Sequence, residues 1–192
     1  MSQPRILING SKGRMGQALI ACAKEAGLPV VATIDQGDDL AAAIPACDII
    51  VDFSHHSVTA GVIDLSIRHG KSLVVGTTGH STEERNKLAA RASAAIPTVW
   101  ASNYSVGVNV LFHLVAEAAR VLDDSFDAEV VEMHHRFKKD APSGTAGTLL
   151  DILMRARDLQ ESDLRHGRHG IVGERTKREI GVHALRGGDV VG

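Results

Sequence analysis

Aromatic side chains are scarce in these 192 residues: one Trp, one Tyr and four Phe, 3% of the chain. Stacking platforms for single-stranded nucleic acid need more of them. An excess of one charge is missing too, since 21 Lys and Arg against 23 Asp and Glu leave a formal net charge of −2. That balance gives no electrostatic footprint for nucleic acid or for an anionic membrane. The only cysteines, Cys22 and Cys47, sit in helical or apolar surroundings without metal-ligand spacing, and read as reduced, buried thiols of a cytoplasmic protein. No apolar run approaches the roughly 18 residues of a membrane span. The opening MSQPRILING lacks the charged start and apolar centre of a signal peptide. What remains is ordinary globular material, 44% hydrophobic and 23% charged, able to bury a core.

Over the first hundred residues, short apolar runs alternate with helical patterns. RILING (5–10), PVVATID (29–35), DIIVDFS (48–54), SLVVGTT (72–78) and TVWAS (98–102) read as strands. Helices fall between them, one over 15–27 and one opening at Ser81 with Glu84 at capping-box spacing. Strands apolar throughout and separated by helices imply a parallel sheet covered on both faces. Residues 1–102 therefore read as a doubly wound α/β domain. Beyond Asn103 the rhythm changes into a smaller α+β domain, 103–192. Its first helix (106–122) puts Val108, Leu111, Phe112, Val115, Ala118, Ala119 and Leu122 on one face, with His113 as a core histidine. A strand (126–135), a helix (145–157) with Leu149, Leu150, Leu153 and Met154 inward, a polar loop (158–178) and a strand (178–186) follow. After the Gly187-Gly188 turn, DVVG reads as the beginning of another strand. An unfinished sheet edge of this kind leads to the expectation of further C-terminal chain.

The first strand runs into Gly10-Ser-Lys-Gly13-Arg-Met-Gly16 and then a helix. Glycines at such a turn let backbone N–H groups approach a pyrophosphate at the helix N-terminus. Asp35 closes the next strand, nineteen positions past Gly16, where a carboxylate accepts bonds from ribose hydroxyls. The context is that of a Rossmann-like dinucleotide site. Asp35 favours NADH, because it repels a 2′-phosphate; Lys12 and Arg14 favour NADPH, and the choice stays open. Further cofactor contacts belong at the other strand ends: Phe53-Ser54, Gly76-Thr77-Thr78-Gly79 and Ala101-Ser102-Asn103.

The densest chemistry lies in EMHHRFKKDAPSGT, residues 132–145. It leaves a strand, crosses a loop and enters a helix at Ser143-Gly144-Thr145, so N–H groups, two hydroxyls and the positive end of the helix dipole converge on a carboxylate or phosphate site. An ordinary cap explains these three residues equally well in isolation, but a cap needs neither Lys138, Lys139 nor a histidine pair. Histidine suits proton transfer near neutral pH. Adjacent residues leaving a strand point opposite ways, so His134 and His135 have different tasks. A metal would need the histidine pair with Glu129 or Glu132; adjacent histidines chelate poorly, so no metal site is assigned.

These residues carry a resemblance. EVVEMHHRFKKDAPSGTA (129–146), GSKGRMG (10–16), VVGTTG (74–79), ASNYSVGVN (101–109) and RGGDVVG (186–192) closely resemble the motifs of the dihydrodipicolinate reductases, in order along the whole chain. The resemblance implies reduction of a cyclic dicarboxylate to tetrahydrodipicolinate, in lysine and diaminopimelate synthesis, by hydride from NADH or NADPH. It implies His134 as proton donor or acceptor, Lys138 as its partner, His135 in contact with substrate, and Ser143, Gly144 and Thr145 on a substrate carboxylate. The cofactor cleft would comprise Gly10, Lys12, Gly13, Arg14, Met15, Gly16, Asp35, Phe53, Gly76, Thr77, Thr78, Ala101, Ser102, Asn103 and Tyr104. Ser102 departs from the family's usual proline. The family also continues past GDVVG with further strands, a basic residue and a returning helix, and assembles as a tetramer through the second domain's sheet; a homotetramer is thus implied for the full-length protein. Competing readings are another aspartate-pathway reductase, which has no need of H-H-x-x-K before S-G-T, and a nucleotide-binding module without catalysis.

Overall fold

The computed structural model describes residues 3–192, which form two compact units divided between Ser102 and Asn103. In the first, β1 (Ile6–Asn9), β2 (Val30–Ile34), β3 (Ile49–Asp52), β4 (Ser72–Val75) and β5 (Thr98–Trp100) make one sheet in the order β2-β1-β3-β4-β5. All four pairings are parallel, so the doubly wound sheet read from the apolar runs is what forms. Crossovers are α1 (Arg14–Glu25), a one-turn α2 (Leu40–Ala43), α3 (His56–Arg68) and α4 (Thr82–Ser93). Ser81 caps α4 by accepting the Glu84 N–H, the contact its spacing predicts. Leu7, Ile50, Leu73 and Val75 from the strands pack with Ile44, Val62, Ile63 and Ala92 as a fully covered core.

The second unit holds α5 (Val106–Val121), β6 (Ala128–His134), α6 (Gly144–Arg157), β7 (Leu164–His166) and β8 (Ile180–Arg186). Its three strands are parallel, in the order β6-β8-β7. Ala128, Val130, Ile180 and Val182 turn inward against Ala146 and Leu150, with Leu149, Leu153 and Met154 beside them. That is the inward face expected of α6.

Several expectations fail here, each for a physical reason. The polar 158–178 segment is not all loop: β7 forms within it. Ion pairs, invisible to an apolar pattern, order the segment, because Arg168 spans Glu129 (2.9 Å) and the buried Glu179 (2.7 Å). DVVG is no strand, since residues 189–192 pair with nothing after the Gly188 turn; the last strand, β8, is instead the central one. His113 is exposed rather than core, as α5 packs on α6 along a narrow line and buries only Ala119. Cys22 is likewise exposed on α1, whereas Cys47 is buried as expected. Among the described residues no helix is long and apolar enough to cross a membrane.

Candidate active site

Parallel strands place all their C-terminal ends at one sheet edge, and the order β2-β1-β3 reverses direction between β1 and β3. Such a reversal opens a crevice. A cavity of about 760 Å³ occupies it, lined by Gly10, Gly13, Asp35 and Phe53 together with Gln36–Asp38, Ser54, His55 and the first turns of α3. Gly10 adopts φ +81°, and a Cβ there would stand 2.3 Å from the Phe53 carbonyl oxygen. A Cβ on Gly16 would fall 2.2 Å from the Gly10 carbonyl oxygen. Both glycines are thus required for the strand, turn and helix to approach so closely. Gly13 caps α1 without a side-chain acceptor, leaving the helix's first turn to other partners.

Asp35 accepts the backbone N–H of Lys12 at 2.6 Å and of Gln36 at 2.8 Å. These two bonds, Lys12 first, hold its carboxyl below the usual carboxylate range. Lys12 therefore serves the acid through its backbone. Arg14 and Met15 are exposed in the first turn of α1. Gly76, Thr77 and Thr78 follow β4 and Ala101 and Ser102 follow β5, along the same edge but outside the cavity lining. Thr77 is only 4% exposed and donates to Asp52 Oδ2 at 2.8 Å. The wholly buried Asp52 also accepts Asn9 Nδ2 (2.7 Å) and Ser54 Oγ (2.6 Å). Thr77 thereby ties the 76–79 turn to β3 and keeps only its backbone for a ligand. Asn103 lies in the second unit, its Nδ2 donating to Thr145 Oγ1 at 3.2 Å, and Tyr104 beside it is 42% exposed.

In the second unit, alternation along β6 puts Glu132 and His134 on one face. His134 Nδ1 lies 2.6 Å from Glu132 Oε2. The ladder sets Arg186 opposite His134, and its guanidinium donates to both Glu132 oxygens at 2.8 Å. Ser143 gives its N–H to Glu132 Oε1 at 3.0 Å, while its hydroxyl accepts the Ala146 N–H at 3.2 Å. Ser143 is thus spent on Glu132 and on capping. The amides of Gly144 and Thr145, at the first two positions of α6, are the ones the cap leaves over. Lys138 Nζ pairs with Asp140 at 2.8 Å, and His135 Nδ1 accepts the Phe137 N–H at 3.2 Å, turned away from Glu132. His134, Lys138 and Ser143–Thr145 therefore share one strand–loop–helix passage.

From the sequence, Glu132 was a candidate only as a metal ligand and Arg186 had no assigned task. Two-residue alternation pairs Glu132 with His134, a signal that was available. Arg186 needed the register. On the nucleotide side, Gln36–Asp38 were also missed, because an irregular loop carries no periodicity.

Family models described as the N-terminus and the C-terminus of dihydrodipicolinate reductase match residues 4–104 and 107–192. The chain belongs to the dihydrodipicolinate reductase family. A 4-hydroxy-tetrahydrodipicolinate reductase of Akkermansia muciniphila is 51% identical over 97% of this chain and 76% of its own length. One from Aromatoleum aromaticum is 43% identical over 98% and 76%. The fold matches a solved dihydrodipicolinate reductase from Paenisporosarcina with a TM-score of 0.66 at 22% identity, covering 97% of this chain and 79% of that one.

This member of the reductase family should be acid-sensitive in a defined window. Arg186 holds the Glu132 carboxyl, and Arg168 that of Glu179, down to about 2 from an ordinary 4.5. Groups whose folded value is depressed give stability in full above the ordinary value and lose it as pH falls toward the folded one. Thermal melts followed by circular dichroism are expected to weaken from about pH 5 downward. Glu179→Gln should be less stable near neutrality and show a flatter acid limb; an unchanged acid limb would remove that carboxylate from the explanation.

Proposed function

We propose that this chain reduces 4-hydroxy-tetrahydrodipicolinate to tetrahydrodipicolinate with NADH or NADPH, a step of lysine and diaminopimelate synthesis. The observation that carries the reading is the passage 134–145, where a histidine, an ammonium group and the open end of α6 lie together. A dicarboxylate needs a cation and free amides; replacing a hydroxyl by hydrogen needs one hydride and one proton, the hydroxyl leaving as water. The nicotinamide supplies the hydride. His134 supplies the proton, Lys138 supports it and the substrate's charge, His135 contacts the ring, and the Gly144 and Thr145 amides hold a carboxylate. A coupled assay with dihydrodipicolinate synthase, aspartate semialdehyde and pyruvate, following NADH or NADPH oxidation, tests it. Cofactor binding without oxidation would make the chain a non-catalytic module.

For the cofactor, the glycine turn and the Asp35 carboxylate fit a dinucleotide, and we assign the preference to NADH. Asp38 lines the same cavity and accepts the Asp35 N–H at 2.8 Å, so a second carboxylate would add to the repulsion of a 2′-phosphate held beside Asp35. Asp35→Ala should weaken NADH by about 1–3 kcal/mol, the loss of a charged hydrogen bond, and NADPH far less. Fluorescence titration of both cofactors reads this directly; equal losses would take Asp35 off the ribose.

A further inference from the structure

We infer that Glu132 is the positioning residue for His134, with Arg186 holding Glu132 to that task, so that Nδ1 keeps a fixed proton and Nε2 is the atom that exchanges one with substrate. The inference rests on the proposed catalytic role of His134 and says how the ring is set for it.

An ionised carboxylate only accepts hydrogen bonds. Glu132 receives two from Arg186 at 2.8 Å and one from the Ser143 N–H at 3.0 Å, and these contacts keep it ionised. The 2.6 Å approach of His134 Nδ1 to Oε2 therefore requires the hydrogen on Nδ1. A neutral imidazole so bound has its lone pair on Nε2. Arg186 also donates to the Asp140 carbonyl at 2.7 Å, which anchors the loop bearing Lys138 and its partner Asp140. A pair serving only to hold β6 to β8 would need neither the imidazole nor the Ser143 amide. Through Glu132 the proton-bearing ring and the N-terminus of α6 are held at a fixed separation, as a donor and a carboxylate pocket for one substrate must be.

Nitrogen-15 labelling of histidine reads the tautomer in the unaltered protein, with His134→Gln to assign the signal. At a pH where the ring is neutral, the Nδ1–H form is expected; an Nε2–H ring overturns the inference, whatever any variant does. Glu132→Gln should lower kcat about 100-fold or more, the order seen when an orienting carboxylate is lost. NADH affinity should stay within about twofold, and the Nδ1–H form should lose its dominance. Arg186→Lys, which keeps the charge without the fork, should fall between, and it serves if Glu132→Gln does not fold. Full turnover in Glu132→Gln beside an inactive His134→Gln would overturn the positioning role alone. Full turnover in His134→Gln would overturn the catalytic reading, while the tautomer would still decide the geometry.

Discussion

His134→Ala is expected to lower kcat by about 10²–10⁴-fold, the usual worth of a positioned proton donor, while leaving NADH binding almost unchanged. His134 belongs to the second unit and the glycine turn with Asp35 to the first, which is why the two effects should separate. Lys138→Ala should act in the same direction, since its ammonium, held by Asp140 at 2.8 Å, stands on the loop that follows His134. The double variant should fall well short of the product of the singles, because two groups serving one proton transfer fail together. Steady-state kinetics on the three variants, with NADH titrated separately, check this. A Lys138→Ala protein that keeps full turnover would remove the lysine from the reaction.

The second large effect is expected at Gly16. A Cβ there meets the Gly10 carbonyl oxygen at 2.2 Å and Ser11 Cα at 2.6 Å. Both obstacles are backbone, so no rotamer relieves them. Gly16→Ala must push α1 off the turn that joins it to β1. Overpacking of this kind costs about 1–3 kcal/mol of stability, and the displaced amides of α1 should weaken NADH by at least about tenfold. Gly147 in α6 is the contrast: a Cβ there meets nothing within 4 Å, so Gly147→Ala should stabilise by about 0.5–1 kcal/mol through helix propensity alone. Chemical denaturation of both variants, with NADH titration of the first, tests the pair. A Gly16→Ala protein as stable and as tight for NADH as the parent would show that the turn yields freely.

What the sequence disclosed follows from which forces leave a periodic mark. Apolar runs such as Ile49–Asp52 and Ser72–Val75 are buried on one face and partly covered on the other, so all five strands of the first sheet could be read without coordinates. The Gly10–Gly16 turn was legible because close backbone approach admits one residue type. β7 was not, because Leu164–His166 is short and polar and is ordered by its neighbours' ion pairs. DVVG misled in the opposite sense: β-branched residues favour a strand, but a strand also needs a neighbour. His113 misled because helical periodicity shows which residues share a face, not whether anything covers it. In the candidate site, His134 and Lys138 stood out by type alone. Glu132 and Arg186 did not, since their bond joins residues 54 positions apart.

The central place of β8 governs the order in which this molecule comes into being. Ala128 pairs with Ile180 and Leu164 also pairs with Ile180, while β6 and β7 do not touch each other as strands. On an emerging chain, the first sheet can close once Trp100 has appeared, its strands pairing with near neighbours in sequence. β6 has no such option: its edge must wait unpaired until some fifty further residues have been made. Closing so long a loop costs only about 0.6 kcal/mol for each doubling of its length; the penalty is time, during which an unpaired strand edge is open to other chains. The candidate proton-transfer site would share that delay, because Arg186, in the last position of β8, is the group that holds both Glu132 oxygens. The three-stranded sheet should therefore close only when β8 takes its place between β6 and β7.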